Sequence, residues 1–306
     1  MSKMNCKICD KKCDVADTDV LDFEYESPGR YTYYRCANCG LFNISPIPDE
    51  DILNLAYPVT YHAYQSQPTR LARKLKSRYW RDKASRIKSF LNEDSRVLDI
   101  GCANGDFLLE LKKMGVRNLK GIDFGLETVN RAQTAGIDAV QGDFDTYDFK
   151  GELFDMIVMT NFIEHVYDPV KTIKKCRSIL TRGGVIAGET PNTESWDYNL
   201  GRRFWGGYHT PRHLFIFNEP SLRELACQTG FIFEGIHNMV QPAHWALTVQ
   251  NALQGSHWRM KLKNGRSWLF TPLILLFAPV NIVQAKISRT SLIEFIYKKG
   301  PDDENR

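Results

Sequence analysis

"RVLDI" (96–100) runs directly into "GCANG" (101–105), and "DFLLELKKMG" (106–115) follows. A short apolar strand empties into a tight glycine turn, and a helix ending at Gly115 takes over. Strand, turn and helix in that order open a parallel α/β unit, with a ligand crevice beyond the strand's carboxyl end. Downstream the alternation continues. Strands are expected at 119–123, 138–144, 154–160, 185–190 and 231–240, and helices at 126–136, 168–180 and 219–230. A seventh strand at 291–299 comes after an insertion at about 241–290.

The turn itself discriminates between cofactors. Dinucleotide sites use three spaced glycines; here Gly101-Cys102-Ala103-Asn104-Gly105 lacks the third. Asp99, near the end of the first strand, would repel a pyrophosphate but suits a cation. S-adenosylmethionine carries an ammonium and a sulfonium. Asp123 ends the second strand, where a carboxylate accepts ribose hydroxyls. Asp143 and Phe144 follow the third strand and can meet an adenine amino group and ring face.

With "VLDIGCANG", "GIDFG", "GDF", "FDMIVMTNFIEHV" and "LTRGGVIAGETPN" in order, the chain resembles the class I S-adenosylmethionine-dependent methyltransferases over about residues 90–240. The resemblance implies a Rossmann-like seven-stranded sheet with the last strand antiparallel. It implies methionine-moiety contacts at Asp99, Gly101 and the neighbouring Cys102, Ala103, Asn104 and Gly105. Ribose contacts fall at Asp123, with Phe124 beside it, and adenine contacts at Asp143 and Phe144. Asn161 is expected beside the cofactor.

Two CxxC pairs, Cys6/Cys9 and Cys36/Cys39, are separated by 26 residues. Two such pairs make a tetrahedral thiolate site suited to structural Zn²⁺, and the aromatic stretches between them read as a hairpin. The fold class is thus α/β: a methyltransferase sheet with a small N-terminal zinc ribbon and an α-helical insertion before the last strand. The ribbon is assigned to 1–48, a linker and basic amphipathic helix to 49–92, and the cofactor-binding domain to 93–306. The ribbon and the Tyr-rich linker behind it also resemble, more loosely, bacterial methyltransferases of sugars, envelope glycans and secondary metabolites. Some sugar C-methyltransferases of this kind carry a further C-terminal domain, so their reaction is not expected here.

The chain has 306 residues and a net charge of only +4, yet 69–88 carries nine Lys/Arg against one Asp. That stretch is read either as a solvated amphipathic helix, with Leu71, Leu75, Tyr79, Ile87 and Leu91 on one face, or as a lure for an anionic partner. No apolar leader is visible at the start, so a cytoplasmic location is expected. The run "WLFTPLILLFAPVNIV" (268–283) reads first as a buried lid or core helix. A membrane-surface element, giving peripheral contact with the inner face, is the second reading, and a membrane span the third.

Methyl transfer to a hydroxyl needs a base, and His serves near neutral pH. His165, His209 and His213 lie in loops expected at the strand ends; the loop 202–217, with its glycine pair, reads as a substrate lid. Glu164 reads as a brace or partner for His165. Some quinone-pathway O-methyltransferases present Glu-x-x-Glu-His here and bind a divalent cation; Asn161 replaces the first carboxylate, which weakens that reading. The expected activity is S-adenosylmethionine-dependent methylation of a small-molecule or saccharide acceptor, at a hydroxyl, in envelope saccharide or secondary metabolite biosynthesis. An RNA methyltransferase and a non-catalytic cofactor-binding protein are the alternatives. Nucleic acid is disfavoured because the fourth strand ends in "TNFIEH" rather than an Asn/Asp-Pro-Pro-aromatic run.

Overall fold

A computed structural model describes residues 4–57, 70–256 and 258–300. The Tyr-rich linker residues 58–68 and the side chains of Leu71 and Leu75 lie outside the described residues. The chain opens with strands β1 (Cys13–Val20), β2 (Tyr31–Cys36) and β3 (Phe42–Ser45), paired antiparallel as the expected hairpin and its extension. Helices α1 (Glu50–Ala56) and α2 (Arg70–Ile87) lead into the α/β region.

There the order is β4 (Arg96–Ile100), α3 (Asp106–Lys113), β5 (Asn118–Asp123), α4 (Leu126–Thr134), β6 (Asp138–Gln141), β7 (Phe154–Thr160), α5 (Pro169–Ser178) and β8 (Leu180–Pro191). Then come α6 (Trp196–Gly201), β9 (Phe215–Ile216), α7 (Glu219–Gln228), β10 (Phe231–Asn238), α8 (Ala243–Gln254), α9 (Phe270–Ile287) and β11 (Leu292–Lys299). The seven-stranded sheet has the order β10-β11-β8-β7-β4-β5-β6, with β11 antiparallel to both neighbours. Its centre reads as unbroken apolar sequence because strands covered on both faces have no wet side; Met156, Ile157, Val158 and Met159 are all buried. β4 has β5 on one side and β7 on the other, so connections leave in opposite directions and open a crevice at its carboxyl end.

The small N-terminal sheet takes its fourth strand from far along the chain. β9 pairs with β3, with Phe42 opposite Ile216 and Asn43 opposite Phe215. Residues 205–218 are therefore packed between the two sheets, which corrects the expected flexible lid. A Cβ on Gly206 would lie 2.5 Å from Leu247 Cβ and 2.6 Å from the His244 carbonyl, and one on Gly207 would lie 2.3 Å from the Trp205 ring. The glycine pair serves close packing rather than hinge motion.

Helix α2 departs from a merely solvated face. Lys76 pairs with Asp106, Arg81 with Glu110, and Arg86 with Glu294 at 2.7 Å. Lys83 is wholly buried, 3.2 Å from Glu189 Oε1, and donates to Thr160 Oγ1 at 2.6 Å. Tyr79 donates to the other oxygen of Glu189. These cations are spent on acids of the same chain, which leaves less of the helix for an anionic partner.

The run expected to be a core helix forms α9 but is not core. Leu275, Leu276, Ile282, Val283 and Ile287 are exposed, and only Phe270, Asn281 and Gln284 of this helix are buried.

Removing one partner of a buried ion pair leaves an uncompensated charge. Lys83→Met is expected to cost about 3–5 kcal/mol in urea unfolding, and adding Glu189→Gln should restore at least half of it. A double variant no better than the single one would show that the pair carries no coupling.

Candidate functional site

The turn after β4 is built to bring backbone close to a ligand. Gly101 and Gly105 have φ of +73° and +75°, and Ala103 has +46°. Gly101 is exposed, and a Cβ there would meet Phe162 at 3.4 Å, so a side chain would fill the mouth of the turn. Asn104 holds its Oδ1 buried with no hydrogen-bond partner in the protein, so the turn has an acceptor to spare for a ligand. Cys102 turns its thiol inward onto Gly121, where a Cβ would lie 2.5 Å from Sγ. Burial pushes that thiol up, out of reach of ordinary thiolate chemistry.

Asp123 ties the turn to β5. Its Oδ2 accepts from the Ala103 amide at 2.9 Å, and its Oδ1 from the Gly125 amide at 2.8 Å and Thr128 Oγ1 at 3.1 Å. Asp99 is 4% exposed, and burial pushes its carboxyl up to about 7. Lys83 opposes that rise, while Asp123 and Glu189 add to it. An acid held on the edge of ionisation in a crevice is a natural counter-ion for a cationic ligand. Phe124 is 63% exposed beside Asp123. Asp143 is exposed and accepts from the Asp145 amide, whereas Phe144 is 2% exposed and packs edge-on to Phe162 at 6.3 Å. Phe144 is thus a wall beneath the crevice rather than an open ring face. The Asp99 and Asp123 carboxyls, as hydrogen-bond acceptors and counter-charge, fit a nucleoside carrying positive charge.

Beyond β7 the chain turns at Asn161, exposed and at φ +48°, its amide bonded to the Glu189 carbonyl. Helix α5 starts only at Pro169, capped by Asp168 Oδ1 on the Lys171 amide, so Glu164 and His165 lie in the turn before it. Glu164 braces the structure through its backbone: its carbonyl accepts from the Leu214 amide at 2.8 Å. Its carboxyl is fully buried, with the Thr190 hydroxyl beside it as its side-chain neighbour. Burial pushes Glu164 up to about 8.

Four histidines from three segments form a row. Ring centroids are 4.7 Å apart for His165–His213, 5.0 Å for His209–His213 and 5.9 Å for His209–His244. His165 Nδ1 lies 3.0 Å from both the Arg212 carbonyl and the Tyr57 hydroxyl, and His213 Nδ1 lies 2.9 Å from the Gly207 carbonyl. A carbonyl only accepts, so each of these contacts calls for a proton on Nδ1, which at His165 the Tyr57 hydroxyl can accept as well. Burial holds His165 down to about 4 and His213 well below its usual value. His209 lies 2.6 Å from Glu24 Oε1. The buried Arg212 side chain reaches Asp22 at 3.4 Å and Glu24 at 3.5 Å. One ligand atom from each of Glu164, His165 and His213 falls within 4.8 Å of the other two.

The four cysteines meet. Sγ separations are 3.6 Å for Cys6–Cys39, 3.5 Å for Cys9–Cys36 and 3.8 Å for Cys9–Cys39. A tetrahedron of 2.3 Å Zn–S bonds has edges of about 3.8 Å, so the cluster is compatible with a zinc ribbon. Sequence reasoning missed Lys83, Thr190, Arg212 and His244. Arg212 sat inside a loop already marked for its aromatic and basic density, but its acids come from residues 190 and 188 positions away, which no local signal reveals.

A family model described as a methyltransferase domain matches residues 71–235. The ubiquinone biosynthesis O-methyltransferase of Colwellia psychrerythraea is 29% identical over 115 residues, 35% of this chain and 46% of that one. The tRNA U34 carboxymethyltransferase of Campylobacter hominis is 30% identical over 112 residues, 34% of this chain and 39% of that one. The chain therefore spans less than half the length of either relative. Among solved structures, a SAM-dependent methyltransferase from Archaeoglobus fulgidus aligns with a TM-score of 0.50 at 19% identity, covering 73% of this chain and 94% of that one. The methyltransferase complex with the Haloferax volcanii activator Trm112 aligns at 0.51 and 15% identity, covering 74% and 93%. At such identities these two show the fold alone. The matched region, more than half of the chain, and the sheet order agree: the chain belongs to the methyltransferase-domain family.

Proposed function

We propose that the chain methylates a hydroxyl of a small-molecule or saccharide acceptor, with His165 as the base. The observation that carries this reading is an imidazole kept neutral by burial just past the end of β7, its Nδ1 held by the Arg212 carbonyl and the Tyr57 hydroxyl. S-adenosylmethionine, when bound, supplies an electrophilic methyl group. Asp99 would face its cationic end and Asp123 its ribose, with Asn104 and the Gly101 turn lining the approach. A hydroxyl oxygen becomes strongly acidic as it is alkylated, so a weak base suffices to take its proton. His213 and Glu164 hold that base in a buried setting, and His209 is engaged with Glu24. The name of the ubiquinone-pathway relative supports an O-methyl product. That of the tRNA-modifying relative keeps RNA as the competing acceptor. The internal pairing of Lys76, Arg81, Lys83 and Arg86 favours the small molecule.

A second reading of the same cluster is a divalent cation on Glu164, His165 and His213. Its support is the pair of Nδ1 atoms anchored on carbonyls, as metal-binding histidines commonly are, and the buried carboxyl within 4.8 Å of both rings' ligand atoms. Under that reading methyl transfer stops on EDTA treatment and returns with added metal; under the base reading EDTA leaves it unchanged.

Transfer of labelled methyl groups into cell-extract fractions tests the acceptor class. Label is expected in the small-molecule or saccharide fraction, and label confined to RNA would sink the reading. His165→Ala should lower transfer about a hundredfold or more while leaving cofactor affinity unchanged; a larger loss from His213→Ala than from His165→Ala would move the base to His213.

Cofactor binding is expected to depend on pH through Asp99. Below about 7 this carboxyl holds its proton in the cofactor-free protein. A cation binds the ionised form, so each unit of pH below that value costs up to about tenfold in affinity, and the curve flattens above it. Calorimetry across pH 5.5–8.5 should show this slope in the native chain and lose it in Asp99→Asn.

We infer that the four cysteines hold one structural Zn²⁺. One zinc per chain by elemental analysis, lost in Cys36→Ser together with a lowered melting temperature, is the expected result; native protein free of zinc and equally stable would reject it.

A further inference from the structure

Helix α9 is turned inside out relative to an ordinary surface helix. Such a helix buries an apolar stripe and wets a polar one. Here the inward side carries Asn281 and Gln284, both wholly buried. Asn281 Oδ1 accepts from the Gln241 amide at 2.6 Å, and Gln284 Oε1 from Trp245 Nε1 at 3.1 Å. Gln284 Nε2 donates to the Arg289 carbonyl at 2.7 Å. Phe277 stacks on Trp245 of α8 at 5.0 Å. The outward side carries Leu275, Leu276, Val280, Ile282, Val283 and Ile287, between 37% and 71% exposed, at three- and four-residue spacing along one face. The helix is long and apolar enough by composition to cross a membrane. Its buried hydrogen bonds hold it flat along α8 instead.

Two further features say what covers that face. Trp258 and Trp268, just before the helix, are 74% and 76% exposed. Between Glu234 and Glu294 the sequence holds six Lys/Arg and no Asp or Glu. Of these, Arg259, Lys261, Lys263 and Lys286 are exposed, and Lys286 lies on the bare face itself. Apolar side chains, indoles and cations on one element match the acyl boundary and anionic headgroups of a bilayer. A second copy of this chain would set like charge against like charge.

We propose that α9 and the segment before it dock the protein flat on an anionic lipid surface. This inference is independent of which acceptor is methylated. It is tested by flotation of the full-length protein with vesicles of phosphatidylcholine, alone or with about one-third phosphatidylglycerol. Flotation with the anionic vesicles is expected, with weaker binding to the neutral ones. Leu276→Glu combined with Val283→Glu should lower partitioning about tenfold or more, with cofactor affinity and melting temperature unchanged. Lys261→Glu with Lys263→Glu, which alters no helix, should weaken binding to anionic vesicles and serves should the first variant fail to fold. Three results would overturn the proposal: native protein that stays down with anionic vesicles, both variants floating as well as native, or a lipid-free dimer that the Leu276/Val283 variant converts to monomer.

Discussion

A guanidinium that never meets water holds the N-terminal sheet against the loop after β8. Arg212 is fully buried, and a buried cation survives only if acids are brought to it. Asp22 and Glu24 supply them from the N-terminal segment, the Ala56 carbonyl accepts from it at 3.0 Å, and Tyr25 offers its ring face. The carbonyl of the same residue, together with the Tyr57 hydroxyl, orients the His165 ring through Nδ1. Charge neutralisation in one part of the residue and orientation of a candidate base in another are thus a single constraint. It explains why the cysteine-stapled sheet must sit against the loop after β8 rather than swing on a linker.

Around β4 the polar groups tie neighbouring elements together. Asp123 takes its hydrogen bonds from residues 103, 125 and 128, which joins the turn after β4 to β5 and α4. Lys83 is bonded to Thr160 at the end of β7 and to Glu189 on β8, and its charge opposes the rise that burial imposes on the Asp99 carboxyl.

What the sequence disclosed followed the range of the interactions involved. β4 and β7 have the expected limits, 96–100 and 154–160, because a strand buried on both faces is an unbroken apolar run with polar ends. β8 begins at Leu180 rather than 185, because Leu180 already pairs with Phe154 of β7 and "TRGG", which reads locally as a turn, is a bulge before pairing resumes at Val185. The two-residue strand β9 had no signature at all. The expected lid was a misreading of Gly206 and Gly207, whose need for space arises from Trp205, His244 and Leu247. For α9, hydropathy reports how apolar a segment is but not which side lies bare. Asn281 and Gln284, which look like blemishes in an apolar run, are its anchor points.

The pairing of β3 with β9 has a consequence for synthesis. Tyr33 and the His213 carbonyl it binds at 2.8 Å are 180 residues apart. The N-terminal sheet leaves the ribosome first but receives its last strand only after most of the Rossmann-like core has been made. Closing so long a loop is slow. Until then β3 is an open edge with Phe42 and Ile44 uncovered, a template for other strands. The cysteine cluster, whose four members all lie within the first 39 residues, can form early and hold that edge in register while the rest of the chain is translated.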